Sequence, residues 1–233
     1  PPLIAFGLIG SALCQYGYYT SIQYSNAAFA TVLSYTAPVM ILVYTVVKER
    51  RAPRGYELAA VLLVALGAFS CATQFKLGAL HIAPLALIWG LLSAVAFAFY
   101  TITPQKLIQE YSLLPIVGWG MILGGIVLAL LCRPWTVAVT VNAHLFIMLA
   151  GVIFLGTICS FCFYQAGVSI VGGLAGSILS AAEPVTSVMI STLLLHVLFT
   201  SFDLAGFVMI LTAIPLIAVG EHWSEKQVVS LRK

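Results

Sequence analysis

The chain has 233 residues, 62% of them hydrophobic and 7% charged, with 10 basic and 7 acidic side chains and a formal net charge of +3. A soluble domain carries about 25% charged residues, and so few charges cannot cover a 24.9 kDa globule in water. With a mean hydropathy of +1.10, the composition excludes a soluble enzyme, a disordered chain and a nucleic-acid-binding domain, and leaves a polytopic membrane protein.

A helix needs ~20 mostly apolar residues to cross a bilayer. Eight stretches qualify: 3–22, 27–47, 56–74, 82–103, 113–132, 145–168, 172–195 and 203–220. None alternates in the manner of a barrel strand, so the predicted fold is an all-α membrane bundle. Short polar separators fall at 48–55, 76–81, 105–112, 133–144, 169–171 and 197–202. With residue 1 on the cytoplasmic side, the inner segments hold Lys48, Arg50, Arg51, Arg54, Lys106, Lys226, Arg232 and Lys233. The outer segments hold only Lys76 and Arg133. That asymmetry satisfies the positive-inside rule and places both chain ends in the cytoplasm. The first span has no basic n-region and no cleavage site, so it is not read as a signal peptide.

Shifting the sequence by 146 residues aligns it with itself. Tyr18 meets Tyr164, Leu33 meets Leu179, and Ser34 meets Ser180. Pro38-Val39 meets Pro184-Val185, and Leu58-Ala59 meets Leu204-Ala205. The first three spans therefore look like copies of the last three. Partner spans are an odd number apart, so the copies are expected to be inverted, as in many transporters. The spans within 82–132 have no counterpart in the first half, so a ten-span protein is expected, with about two helices ahead of residue 1. The predicted organisation is the remainder of one repeat at 1–76, a second repeat at 77–220, and a cytoplasmic tail at 221–233.

Particular residues then resemble a known family. Ser25-Asn26-Ala27 leads into a span with mid-helix Pro38, followed by Lys48-Glu49-Arg50 and by Gly67 in the next span. The second half has Gly172-Gly173-Leu174-Ala175 before Ser180 and Glu183-Pro184. This pattern resembles the EamA-type drug/metabolite transporter superfamily, and the Glu-Pro pair looks like its best-known mark. The resemblance implies ten helices as five plus five and transport of metabolites or drugs. Two departures stand out: Ala37-Pro38 replaces Glu-Pro in the first copy, and Leu195-His196 stands where the first copy has Glu49-Arg50.

Glu183 is the sharpest chemical feature. It is the lone acid in a span interior, where a carboxylate is costly and usually functional. Ser180 and Ser187 extend it into a polar stripe at helical spacing. It is expected to couple protons or to meet a cationic group of a substrate; the bland reading is a neutral Glu bonded to a neighbouring helix. Pro38 and Pro184 are expected to kink their helices at matching positions around a central site. Tyr18 and Tyr164 coincide in the repeat, and with Gln165 they are candidate cavity residues. Ser34 and Tyr35 are the polar candidates of the second span. Trp89, Ser93, Ala96 and Tyr100 share one helical face, either a cavity wall led by Trp89 or a packing stripe. Gly120-x-x-x-Gly124 and Gly172-x-x-x-Gly176 read as close-packing sites.

No cofactor or metal site is expected. Cys159-x-x-Cys162 has no second pair and no nearby His, and reads as core. His81, His144, His196 and His222 lie at span ends or loops, which disfavours an intramembrane serine protease. No Walker-type stretch is present, and a single carboxylate makes a poor selectivity ring. The expected function is a secondary active transporter in the cell membrane, not an enzyme. It exports small metabolites (amino acids, amines or related compounds) by alternating access, and its partners are a small-molecule substrate and the lipid bilayer. The other reading is a non-transporting membrane protein, either a packing subunit or a decayed fragment.

Overall fold

The computed structural model describes residues 2–73, 83–136, 142–183, 185–186, 189–190 and 201–231. Among these residues there are helices and turns but no strand. Helix α1 (2–24) and helix α2 (27–49) are joined at Ser25-Asn26, where Asn26 caps α2 by accepting from Phe29 N at 2.8 Å. There follow α3 (Gly55–Thr73), α4 (Pro84–Ile102), the short α5 (Pro104–Tyr111) and α6 (Leu113–Cys132). The chain closes with α7 (143–171), α8 (Gly173–Ser180, resuming after a turn at Ala181) and α9 (Ser201–Leu231). Each predicted span thus carries helix in its described part. Phe29–Glu49, Pro84–Tyr111, Leu113–Cys132 and Ala143–Val171 are long and apolar enough to cross a membrane, and Gly55–Ser70 and Leu204–Gly220 are shorter apolar helices. Helix α9 runs without a break past 220 into the predicted tail.

The irregularities of the helices repeat with the same 146-residue offset as the sequence. A π-helical stretch interrupts α1 at Phe6–Leu13 and α7 at Val152–Cys159. Helix α2 breaks after Ser34 and α8 after Ser180. In α2 the break sits at Tyr35-Thr36, just ahead of Pro38, which has no N–H for the Ser34 carbonyl four residues back and whose ring crowds it. The Thr36 hydroxyl donates to the Leu33 carbonyl at 2.6 Å and satisfies a carbonyl at the break. Pro38 lies in the first turn of the resumed helix, where no N–H is needed. Its repeat partner Pro184 lies outside the described residues, as does Ser187.

Close contacts give the helix directions. Gly220 lies against Tyr56, Gly67 against Gly206 and Ile210, and Ser70 donates to the Phe202 carbonyl at 2.7 Å. Residue numbers rise along α3 as they fall along α9, so these two helices are antiparallel. They are also repeat partners, which makes the repeat an inverted one. Gly7 meets Gly120 while Ser11 meets Gly124, so α1 and α6 are parallel. Gly10 meets Tyr100 and Gly17 meets Trp89 and Ser93, so α1 and α4 are antiparallel. All three pairings have the direction that an alternating eight-span path requires. The main core is built by Ile41 and Leu42 of α2, Val61 and Val64 of α3, Ala98 of α4, Leu174 and Ile178 of α8, and Phe207 and Ile210 of α9.

Candidate functional site

A cavity of about 950 Å³ opens at the end of the bundle that carries most of the basic residues. Its walls come from three segments distant in sequence. The end of α2 and the start of α3 supply Met40, Tyr44, Lys48, Arg54 and Tyr56; the end of α4 and the start of α5 supply Val95, Phe99, Gln105 and Lys106. The turn between α7 and α8 supplies Val171, Gly172 and Gly173. Of its lining residues, Ile41, Ala98 and Leu174 also belong to the buried core. The cavity therefore joins a charged end to apolar walls.

The mouth is organised by one guanidinium. Arg51 donates from Nη1 to Glu57 Oε2 at 2.8 Å and from Nη2 to Glu57 Oε1 at 2.5 Å, a two-point pair, and from Nε to Glu49. The Arg54 backbone N–H adds a bond to Glu57 Oε2 at 2.8 Å. Glu57 is 3% exposed, so its charge needs these donors. The hydrogen bonds it donates to Glu57 hold the Arg51 guanidinium above its ordinary pKa. Arg50 takes a left-handed conformation (φ 50°) at the end of α2 and turns the chain toward α3.

Behind the cavity lies a polar network. Gln105 Nε2 donates to the Thr101 carbonyl at 3.0 Å and to Gln165 Oε1 at 2.8 Å. Gln165, fully buried, donates to the Tyr100 carbonyl at 2.8 Å. The hydroxyls of Thr101 and Tyr164 are 2.8 Å apart. Phe6, Phe97, Phe161 and Tyr164 pack around the Tyr100 ring. The network ties α4 and α5 to α7, and Gln105 is its one member on the cavity wall.

The residues singled out from sequence fall into separate groups. Tyr164 and Gln165 meet in this network. Tyr18 pairs with Thr31 at 3.1 Å. The hydroxyl of Ser34 donates to the Ala30 carbonyl and that of Ser180 to the Ser177 carbonyl. Tyr35 occupies the break in α2 and packs against the main core. Trp89 meets Tyr16 edge-on at 5.3 Å, and Ser93 donates to the Cys14 carbonyl at 2.8 Å. The Trp89 stripe therefore packs on α1. Glu183 is exposed, just beyond the break in α8. None of these side chains lines the cavity. Lys48, Arg51, Arg54 and Lys106, topology markers in the sequence, line the cavity. The one available signal was Glu57, an acid in the first turn of an apolar span.

An inverted bundle of apolar helices defines a class: the protein is a multi-pass membrane protein. A family model described as "EamA-like transporter family" matches residues 1–73 and 84–219, so the chain belongs to that family. It is 36% identical over 217 residues to the uncharacterized inner membrane transporter YicL of Salmonella typhimurium strain LT2, covering 93% of this chain and 72% of the relative. A crystal structure with 16% sequence identity shares the fold at a TM-score of 0.73, over 92% of this chain and 75% of the other.

Proposed function

We propose that this transporter exports small metabolites, amino acids, amines or related compounds, by alternating access coupled to protons at Glu183. The observation that carries the proposal is the cavity, lined by the charged residues of the basic end and also by Ile41, Ala98 and Leu174 of the buried core. A binding space that opens at one end of the bundle and reaches its core is what half of an alternating-access cycle requires. By the positive-inside rule the basic end faces the cytoplasm, so both chain ends lie there and the protein sits in the inner or plasma membrane. The cavity then loads from the cytoplasm.

The repeat units, 1–76 and 77–220, are the bodies that rock against each other, with 221–233 as a cytoplasmic extension. Their hinges are the breaks at Tyr35-Thr36 and Ala181, positioned by Pro38 and Pro184. Ser34 and Ser180 stand at the hinges, while Tyr18, Tyr35, Trp89, Tyr164 and Gln165 form the wall that the substrate meets once the bundle opens. Glu183 lies ten residues beyond Gly173, about 15 Å along the helix, near the middle of a core ~30 Å thick. A carboxylate at that depth must be neutral or reached by water. Alternation between the two conditions links proton exchange to the hinge.

The test is uptake of pooled labelled amino acids and amines into inverted membrane vesicles with an imposed proton gradient. Uptake that collapses with a protonophore, and that falls at least ~10-fold and loses its pH dependence in Glu183→Gln, supports the mechanism. Unchanged rate and pH dependence in Glu183→Gln would remove that residue from it.

A further inference from the structure

Resting on the proposal that the cavity loads substrate, the charge at its mouth narrows the substrate class. Six ionisable groups of fixed sign line it: cationic Lys48, Arg51, Arg54 and Lys106, and anionic Glu49 and Glu57. The two carboxylates are both bound to Arg51, and these are the ion pairs found among the described residues. That cluster is internally satisfied and faces the chain turn. The side chains of Lys48, Arg54 and Lys106 make no ion pair among the described residues, and Arg54 meets Glu57 only through its backbone N–H. Arg54 donates to the Tyr56 hydroxyl at 2.9 Å, and the Lys48 ammonium lies 5.5 Å from the Tyr44 ring centre, both neutral partners.

Among the described residues the cavity is thus a concave space with three cations outside any ion pair and with Met40, Ile41, Val95, Phe99 and Ile102 on its walls. A cation entering it meets repulsion at the rim and apolar walls below. An anion with an apolar body meets the opposite at both levels. The start of α8 agrees in sign: Gly172 and Gly173 line the cavity, and no side chain caps that helix, so its first N–H groups add positive potential there. We infer that the cavity takes amphipathic organic carboxylates, with Lys48, Arg54 and Lys106 receiving the carboxylate and the α2 and α4 walls receiving the apolar body. Amino acids enter carboxylate-first on this reading, which narrows the proposed substrates to those that carry a carboxylate.

The experiment compares two labelled probes of one skeleton, 3-phenylpropionate and phenethylamine, by equilibrium binding to the full chain in nanodiscs of phosphatidylcholine. Saturable binding of the acid and none of the amine is expected. Lys106→Gln should weaken acid binding about tenfold, and Lys48→Gln/Arg54→Gln/Lys106→Gln should abolish it while thermal stability is kept. Higher salt should weaken it too. The inference is overturned by equal or tighter binding of the amine, by unchanged acid binding in the triple variant, or by binding of neither probe. A second arm uses nanodiscs of phosphatidylglycerol: acid binding that persists keeps the assignment, and acid binding that vanishes there gives the cations to lipid headgroups instead. Acid binding without flux in proteoliposomes would leave this site standing and sink the export reading, so the two fail separately.

Discussion

The two copies of the repeat share their helix irregularities and differ in what surrounds them. In the first copy the π-helical stretch of α1 is packed on both sides. Phe6 is fully buried, and a Cβ on Gly7 would stand 2.9 Å from the Gly120 carbonyl oxygen. At the same register of α7, Val152 is 63% exposed, Ile153 is 54% exposed, and Gly156 has nothing within 4 Å. The α2 start is capped by Asn26, whereas the α8 start has Gly172 at φ 86° and no cap. Tyr18 finds Thr31 on the next helix of its own copy, while Tyr164 finds Thr101 on α4, also within its own copy, and Ser177 turns back to the Leu174 carbonyl. The backbone plan is thus common to both copies, and the side-chain partners differ. An uncapped glycine start lies on the cavity, and its capped equivalent belongs to the oppositely directed copy.

The largest test of that contrast is a pair of substitutions in the two π-helical stretches. Gly7→Leu should cost about 3 kcal/mol or more by forcing α1 off α6. Gly156→Leu meets no described atom within 4 Å and should cost less. Thermal melts followed by fluorescence-detected size exclusion read both, and an equal loss at the two sites would break the comparison. Next is Glu57→Gln, which leaves Arg51 with Glu49 alone and should cost about 2 kcal/mol. The second copy has Leu194, Leu195 and Val197 where the first has Lys48, Glu49 and Arg51, so this latch belongs to one copy. The same melts check it.

Smaller effects sharpen the contrast between the helix starts. Gly172→Ala should cost about 2 kcal/mol, because φ 86° with ψ 165° is open to glycine and strained for alanine. Asn26→Ala at the same register should cost about 1 kcal/mol, the worth of a cap. If both cost the same through a lost cap, Gly172→Asn should be as stable as the parent; strain predicts a loss. Smallest is the tyrosine pair: Thr101→Val and Thr31→Val should each cost ~0.6 kcal/mol. Only Thr101→Val should loosen α7 against α4, read by faster hydrogen exchange around Tyr164.

Much of the fold was legible because its determinants are local. Span length, the placement of ten basic residues and a gap-free repeat need no knowledge of packing. Gly120 and Gly124 announced a close helix contact by their spacing alone, and they sit against Phe6, Gly7 and Ser11. The cavity was not legible, because it is assembled from segments near 40–57, 95–106 and 171–174 that meet only in three dimensions. The Gln105–Gln165 bond likewise depends on the register between α5 and α7. Trp89 shows the limit of helical-face reading: a polar-aromatic stripe marks a contact face without saying whether protein or ligand fills it. The cations at the mouth were visible from the start, but a single role in topology accounted for all of them.

The most direct test of the account is thiol accessibility on the cavity wall. With the five native cysteines replaced by alanine, Phe99→Cys and Ile178→Cys are treated with a membrane-impermeant maleimide in inverted and in right-side-out vesicles. Phe99 lines the cavity and Ile178 is buried in the core. The account predicts labelling of the Phe99 position from the cytoplasmic side only, with Ile178 protected from that side. Labelling at Phe99 from the outer side alone, or equal labelling at both positions from the cytoplasm, would contradict it.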